Sequence, residues 1–410
     1  MGFTIQDIKS VTDKHYEQFV DKEIDASAAA SAITEIASWE SELPFVLGLK
    51  KLGVDKYSVS ENLCLLMLID DIFWDGLEPL QYTRFSKHPE YGVILKGIDG
   101  LLKRGVLRYD VAHTNAPEKN ANRIDRFYIT PKALRLLFFG HRGLVSLGDI
   151  ARQAEIIPSS TIQQKQLYFD ENNKEDIKRS FHLLKPDVYN SVMDRLSNRG
   201  RKAAATFLFY GTPGTGKTEL VKQLARETGR DIIMADVSKL HSSFTGDTEK
   251  NYREMFNAYR YLYCLSPVAP ILLFNEADAI LSKRGDVLRQ AIDKIANRVQ
   301  NILLQELEDF EGILIATTNL AENLDPAFER RFLYKVKFEQ PGANVREKIW
   351  MSLIPELSKM EAAILSDTYP FSGGQIANVA MKRDLDEILF GDTPSFAQMR
   401  SYCDKELLKA

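Results

Sequence analysis

The run Gly211-Thr212-Pro213-Gly214-Thr215-Gly216-Lys217-Thr218 has the residue types needed to hold a chain of phosphates. Its glycines let successive backbone N–H groups turn inward on an anion. Lys217 can reach the β- and γ-phosphates of a nucleoside triphosphate, and the Thr218 hydroxyl can ligate Mg²⁺. Such a loop needs a strand to launch it and a helix to receive it. Ala205 to Tyr210 reads as a buried strand, and Glu219 to Ala225 reads as a helix whose N-terminus faces the anion.

Further residues suited to phosphate chemistry follow at the ends of predicted strands. Strand patterns over Asp231–Val237 and Val268–Phe274, with a helix from about Glu249 between them, predict a parallel α/β sheet, whose ligands bind at the carboxyl ends of its strands. The second of these runs ends in Asn275-Glu276-Ala277-Asp278, where Glu276 can polarise an attacking water. Gly312 to Thr318 reads as another buried strand, ending in Asn319, whose amide can hold that water or the γ-phosphate. Arg330 and Arg331 can absorb the charge of an in-line displacement, although paired arginines at a helix end are also ordinary solvated groups.

In this order and at this spacing, these elements resemble the AAA ATPase module of the AAA+ class, in its bacterial type with an N-terminal winged-helix-like domain. The likeness covers about 200 residues. It implies a P-loop NTPase parallel sheet with a C-terminal helical lid, and ATP and Mg²⁺ as cofactors. Lys217 and Thr218 match Walker A, Asn275 and Glu276 fall on Walker B, and Asn319 matches sensor 1. Arg330 and Arg331 match arginine fingers that reach a neighbouring subunit's nucleotide, which implies a homo-oligomer, in this family usually a hexamer. Asn275 stands where the family has an aspartate, so its acceptor oxygen remains while a charge beside the metal is lost. Weaker Mg²⁺ retention and slower turnover are expected. Polypeptide-threading members place an aromatic, an apolar residue and a glycine in a central pore. Phe244 and Gly246 fit that pattern and Thr245 does not; a phenylalanine tucked against its own helix is the plainer reading of Phe244.

Around this module the chain divides into a helical segment over 1–45, a winged-helix-like domain over 46–142, a linker with helices over 143–199, the large ATPase subdomain over 200–341 and a helical lid over 342–410. In the lid, helices are expected over Asn344–Pro355 and Gln375–Leu389. Gly373 and Gly374 serve either backbone approach to the nucleotide or an ordinary helix start. The winged-helix reading rests on helices followed by a hairpin formed from Gly105–Val111 and Arg126–Thr130. From Arg84 to Arg142 there are twelve basic and five acidic side chains, so DNA is a possible partner of residues 84–142 through Lys96, Lys103, Arg104, Arg123 and Arg126. Protein contact through the same domain is an equal alternative.

Composition narrows the classes. A net charge of −4 over 410 residues excludes a uniformly basic nucleic-acid coat protein, and 44% hydrophobic residues provide ample core. Cys64, Cys264 and Cys403 lie too far apart in sequence to suggest a zinc site or a disulfide framework. Apolar runs such as Val268–Phe274 are far too short to cross a bilayer, so a cytoplasmic protein is expected. The expected function is an ATP hydrolase that remodels a protein or nucleoprotein target. The alternatives are a winged-helix ATPase assembled on DNA and a slow ATP-gated scaffold.

Overall fold

The computed structural model describes residues 3–75, 80–109, 126–140, 154–235, 247–281, 292–319 and 324–407. Two compact units are present: Met1–Arg152 together with Arg253–Ala269, and Gln153–Tyr252 together with Pro270–Ala410.

The first unit follows from helical apolar spacing punctuated by caps. Helices α1 (Ile5–Val20), α2 (Ala26–Ser38), α3 (Pro44–Leu52) and α4 (Val59–Asp75) come in succession. Thr4 and Asp7 close a capping box on α1, Asp25 caps α2, and Gly53 ends α3 in the left-handed region. Residues 62–73 of α4 are buried on every face, which makes it the central helix. A short strand β1 (Leu80–Gln81), helix α5 (Tyr91–Lys103), strands β2 (Leu107–Tyr109) and β3 (Arg126–Ile129), and helix α6 (Pro131–Phe138) complete the unit. The three strands form an antiparallel sheet in the order β1-β3-β2. Phe45, Phe73 and Phe138 pack edge to face or tilted in the core, joined there by Tyr261, Cys264 and Leu265.

The second unit is built on a six-stranded sheet. Its strands are β4 (Ala154–Ile157), β5 (Ala204–Gly211), β6 (Ile232–Ala235), β7 (Ile271–Phe274), β8 (Gly312–Thr318) and β9 (Tyr334–Phe338), in the spatial order β4-β6-β7-β8-β5-β9. All neighbours are parallel except the β4–β6 pair. The continuous apolar runs of β7 and β8 are wholly buried, as strands covered on both faces must be. Between strands lie α7 (Glu171–Leu184), α8 (Pro186–Asn198) and α9 (Lys217–Thr228), then the helix Ile292–Glu308; the helix Asp247–Leu265 begins in this unit, and its residues from Arg253 onward belong to the first. Part of the stretch read as linker is therefore strand: β4 pairs with β6 along one edge.

The lid contains four helices, Ala343–Leu353, Lys359–Thr368, Gly373–Phe390 and Phe396–Glu406. Three of them begin with capping boxes, Ser358 with Glu361, Ser372 with Gln375 and Ser395 with Gln398. Their apolar faces meet around Trp350, Leu365, Phe371, Ile376, Val379 and Cys403.

Candidate active site

Strand β5 delivers the phosphate loop to the carboxyl edge of the sheet, between β8 and β9. A side chain at Gly211 is impossible, since a Cβ there would stand 2.0 Å from the Phe338 carbonyl oxygen and the residue has φ +133°. Thr212 N–H donates to that same carbonyl at 3.1 Å, fixing the loop to β9. Gly216, at φ +90°, then turns the chain into α9, whose first residue is Lys217. Lys217 Nζ donates to the carbonyls of Gly211 at 2.9 Å and Thr212 at 2.7 Å. Burial lowers its pKa, opposed by the nearby charges of Asp278 and Glu276.

The loop floors a cavity of about 740 Å³. Its polar side is lined by Lys217, Thr218, Glu276 and Asn319, and its apolar side by Leu167, Phe169, Ile349, Leu353 and Ala377. The volume lies within the range usual for small-molecule sites. Gln223 of α9 holds the 163–165 segment in place, donating to Gln163 O at 3.0 Å and accepting from Lys165 N at 3.1 Å. On the lid side, Gly374 N–H donates to Gly214 O at 2.9 Å, and a Cβ on Gly374 would lie 3.2 Å from Gly214 Cα. Gly374 thus brings the lid backbone against the phosphate loop, in the first turn of the capped helix that Gly373 begins.

Asn275 and Glu276 stand at the end of β7, beside the end of β8. Asn275 Oδ1 accepts from the Thr218 hydroxyl at 2.6 Å and the Thr317 hydroxyl at 3.0 Å. Both of its lone pairs are therefore engaged, and a Thr218 hydroxyl that donates to Asn275 keeps its own lone pairs for a cation. Asn275 is thus hydrogen-bonded to the hydroxyl that would hold a cation. Glu276 is exposed and has φ +52°, a conformation costing about 1–3 kcal/mol in a residue with a side chain. Asn319 N–H donates to Asp278 Oδ1 at 2.9 Å, and the Thr318 hydroxyl donates to the same oxygen. Among the described residues no cluster of His, Cys, Asp or Glu could hold a metal by itself. The Thr218 hydroxyl, bonded to the Asn275 oxygen, would suit Mg²⁺ arriving with phosphate oxygens and waters.

A family model described as "ATPase family associated with various cellular activities (AAA)" matches residues 207–340, the stretch from within β5 to just past β9. Residues 207–340 are an AAA ATPase domain. Its relatives agree. Protein CdcH of Halobacterium salinarum is 32% identical over 208 residues, which is 48% of this chain and 26% of the relative. A putative 26S proteasome regulatory subunit homolog of Methanocaldococcus jannaschii is 33% identical over 220 residues, 51% of this chain and 55% of the relative. Fidgetin-like protein 1 of Xenopus tropicalis is 26% identical over 217 residues, 50% of this chain and 30% of the relative. The chain thus spans between a quarter and just over half the length of these three.

Not every predicted site residue of the AAA domain joins the cavity. Arg330 is exposed, and its side chain makes no hydrogen bond or ion pair among the described residues. Arg331 is tethered, its Nη2 2.9 Å from Glu308 Oε1. Neither lines the cavity. Phe244 and Gly246 lie outside the described residues. Sequence reasoning gave no role to Asp278, Thr317 or Thr318, nor to the apolar wall. Asp278 was visible in the string Asn275–Asp278, but the threonines were hidden because their partners sit on another strand.

Part of the basic surplus of 84–142 is committed within its own unit. Arg84 pairs with Asp71, and Lys103 with Asp99 at 2.5 Å. Arg104 pairs with Glu61 at 2.6 Å and lies over the Tyr57 ring, while Arg108 donates to Asn257 at 3.1 Å. Lys96 is exposed; Arg123 and the Arg126 side chain are outside the description. No described helix is long and apolar enough to cross a membrane.

Proposed function

We propose that the chain is an ATP hydrolase that works as a homo-oligomer, with each site completed by a neighbour, and that it remodels a protein or nucleoprotein target. One observation carries the reading: Lys217, Thr218, Glu276 and Asn319 line a single cavity while Arg330, on the same unit, is exposed outside it. Lys217 and the N-terminus of α9 hold the β- and γ-phosphates, and the apolar wall of Leu167, Ile349 and Leu353 takes the base. Thr218, oriented by Asn275, would hold Mg²⁺, which would supply positive charge to the phosphates. Glu276 accepts a proton from the attacking water, and Asn319 orients that water against the γ-phosphate. Arg330 acts on the neighbour's γ-phosphate, which implies a ring such as a hexamer. With asparagine at 275 in place of a carboxylate, hydrolysis is slow.

A protein target is favoured over DNA. Of the candidate phosphate contacts in 84–142, Lys103 and Arg104 already have carboxylate partners, as does Arg84 nearby, and likeness to a proteasome regulatory subunit homolog points the same way. The helix, short strand, helix and hairpin order of the first unit supports a winged-helix-like module that selects the target.

Phosphate release with saturating Mg·ATP tests the reading. Wild type should release phosphate, and Glu276→Gln should bind ATP with release lowered by about 10²-fold or more, the usual scale for general-base loss. Equal release by both would remove Glu276 from the chemistry, and none by either would leave a nucleotide-gated scaffold.

A further inference from the structure

The ends of β7 and β8 are stapled by side chains to a degree that strand pairing does not require. The paired register ends at Phe274 opposite Ala316. Beyond it, the Thr317 hydroxyl donates to Asn275 Oδ1 at 3.0 Å and accepts from Glu276 N–H at 3.0 Å. Thr317 carbonyl oxygen accepts from Ala277 N–H at 2.8 Å. One residue therefore grips three consecutive positions, Asn275, Glu276 and Ala277, from both its side chain and its backbone.

This grip falls on the backbone segment that needs it. Glu276 is held in the left-handed region, which a residue with a Cβ keeps only when its surroundings impose it. A hydroxyl with one donated and one accepted bond is the smallest group that can satisfy the Asn275 oxygen and the Glu276 N–H together. Thr317 is 2% exposed, so water does not readily replace it. A carboxylate at position 275 would bring its own charge to the metal; the neutral Asn275 acts through hydrogen bonds, and Thr317 and Thr218 share its oxygen.

We infer that Thr317 is a positioning residue for hydrolysis: its hydroxyl, at the wall of the cavity, holds Glu276 in its left-handed backbone conformation and ties Asn275 to the same anchor. The inference deepens the ATPase reading and rests on it. A misplacement of about 1 Å in a catalytic group costs on the order of 10²-fold in rate, so the effect belongs in kcat more than in binding.

The test compares full-length wild type with Thr317→Val, which keeps the shape and removes the hydroxyl, and Thr317→Ser, which keeps the hydroxyl and removes the methyl. Phosphate release gives kcat, and titration with a fluorescent ATP analogue gives affinity. Valine should lower kcat by about 10- to 100-fold with affinity within about twofold, and serine should restore most of the rate. Should the valine variant fail to fold, Thr317→Ala against Thr317→Ser carries the comparison, since the two differ only by the hydroxyl; alanine should lose the rate that serine keeps. Unchanged kcat in the valine variant overturns the inference, as does serine failing alongside valine or alanine, or affinity falling in step with kcat. Wild type without phosphate release would sink the ATPase reading and this inference with it, whereas active wild type with an equally active valine variant sinks the inference alone.

Discussion

Arg330 and Arg331 are adjacent in sequence and differ in what surrounds them. Arg331 is held by Glu308 and its backbone carbonyl accepts from the Thr206 hydroxyl at 2.8 Å, so it is tied to the beginning of β5. Arg330 is exposed, with no ion pair among the described residues. If a neighbour's phosphate is the missing partner, the two substitutions must separate. Arg330→Ala should lower kcat by about 10³-fold, the low end for an arginine finger, with ATP affinity and melting temperature little changed. Arg331→Ala should cost stability first, read as a lower melting temperature, with a smaller loss of rate in what remains folded. Equal effects of both on rate alone would contradict this division. A pair of arginines is legible in the sequence; which one is free depends on Glu308, brought close by the fold alone.

Elements that bind phosphate were easier to read than elements that pack. The loop from Gly211 to Thr218 is constrained by its ligand, so its glycines announce it, and the Ser-x-x-Glu or Gln boxes of the lid announce helix starts equally well. Strand β4 was missed because Ala154-Glu155-Ile156-Ile157 is too short to show a period, and its pairing with β6 is a tertiary event. A similar tertiary effect sets the charge between α1 and α4. Asp70 is buried, its Oδ1 has no hydrogen-bond partner among the described residues, and burial raises its pKa to about 7. Within that rise burial leads, Asp13 and Glu17 on α1 and Asp71 on its own helix add to it, and Arg84 opposes it. The folded chain therefore keeps a proton that the unfolded chain loses near pH 4, and this contribution to stability is lost as pH rises through about 7. Asp70→Asn should stabilise the protein by on the order of 2 kcal/mol at pH 8, each unit of carboxyl shift being worth about 1.4 kcal/mol before relaxation. Thermal melts at pH 6 and pH 8 check this: the wild type should lose stability between them more than the variant, and parallel losses would refute it.

At the scale of the whole molecule, the central claim is that no single chain holds a complete site. Each chain has a cavity lined by Glu276 and, outside it, an exposed Arg330, which is what a head-to-tail assembly of identical subunits requires. Mixing two disabled variants tests this most directly. Glu276→Gln and Arg330→Ala chains should each be nearly inactive alone. In a mixture, an Arg330→Ala subunit supplies an intact Glu276 to a site that a Glu276→Gln neighbour completes with its intact Arg330. Phosphate release should then recover to a substantial fraction of wild type in the mixture. A mixture as inactive as its components would contradict shared sites.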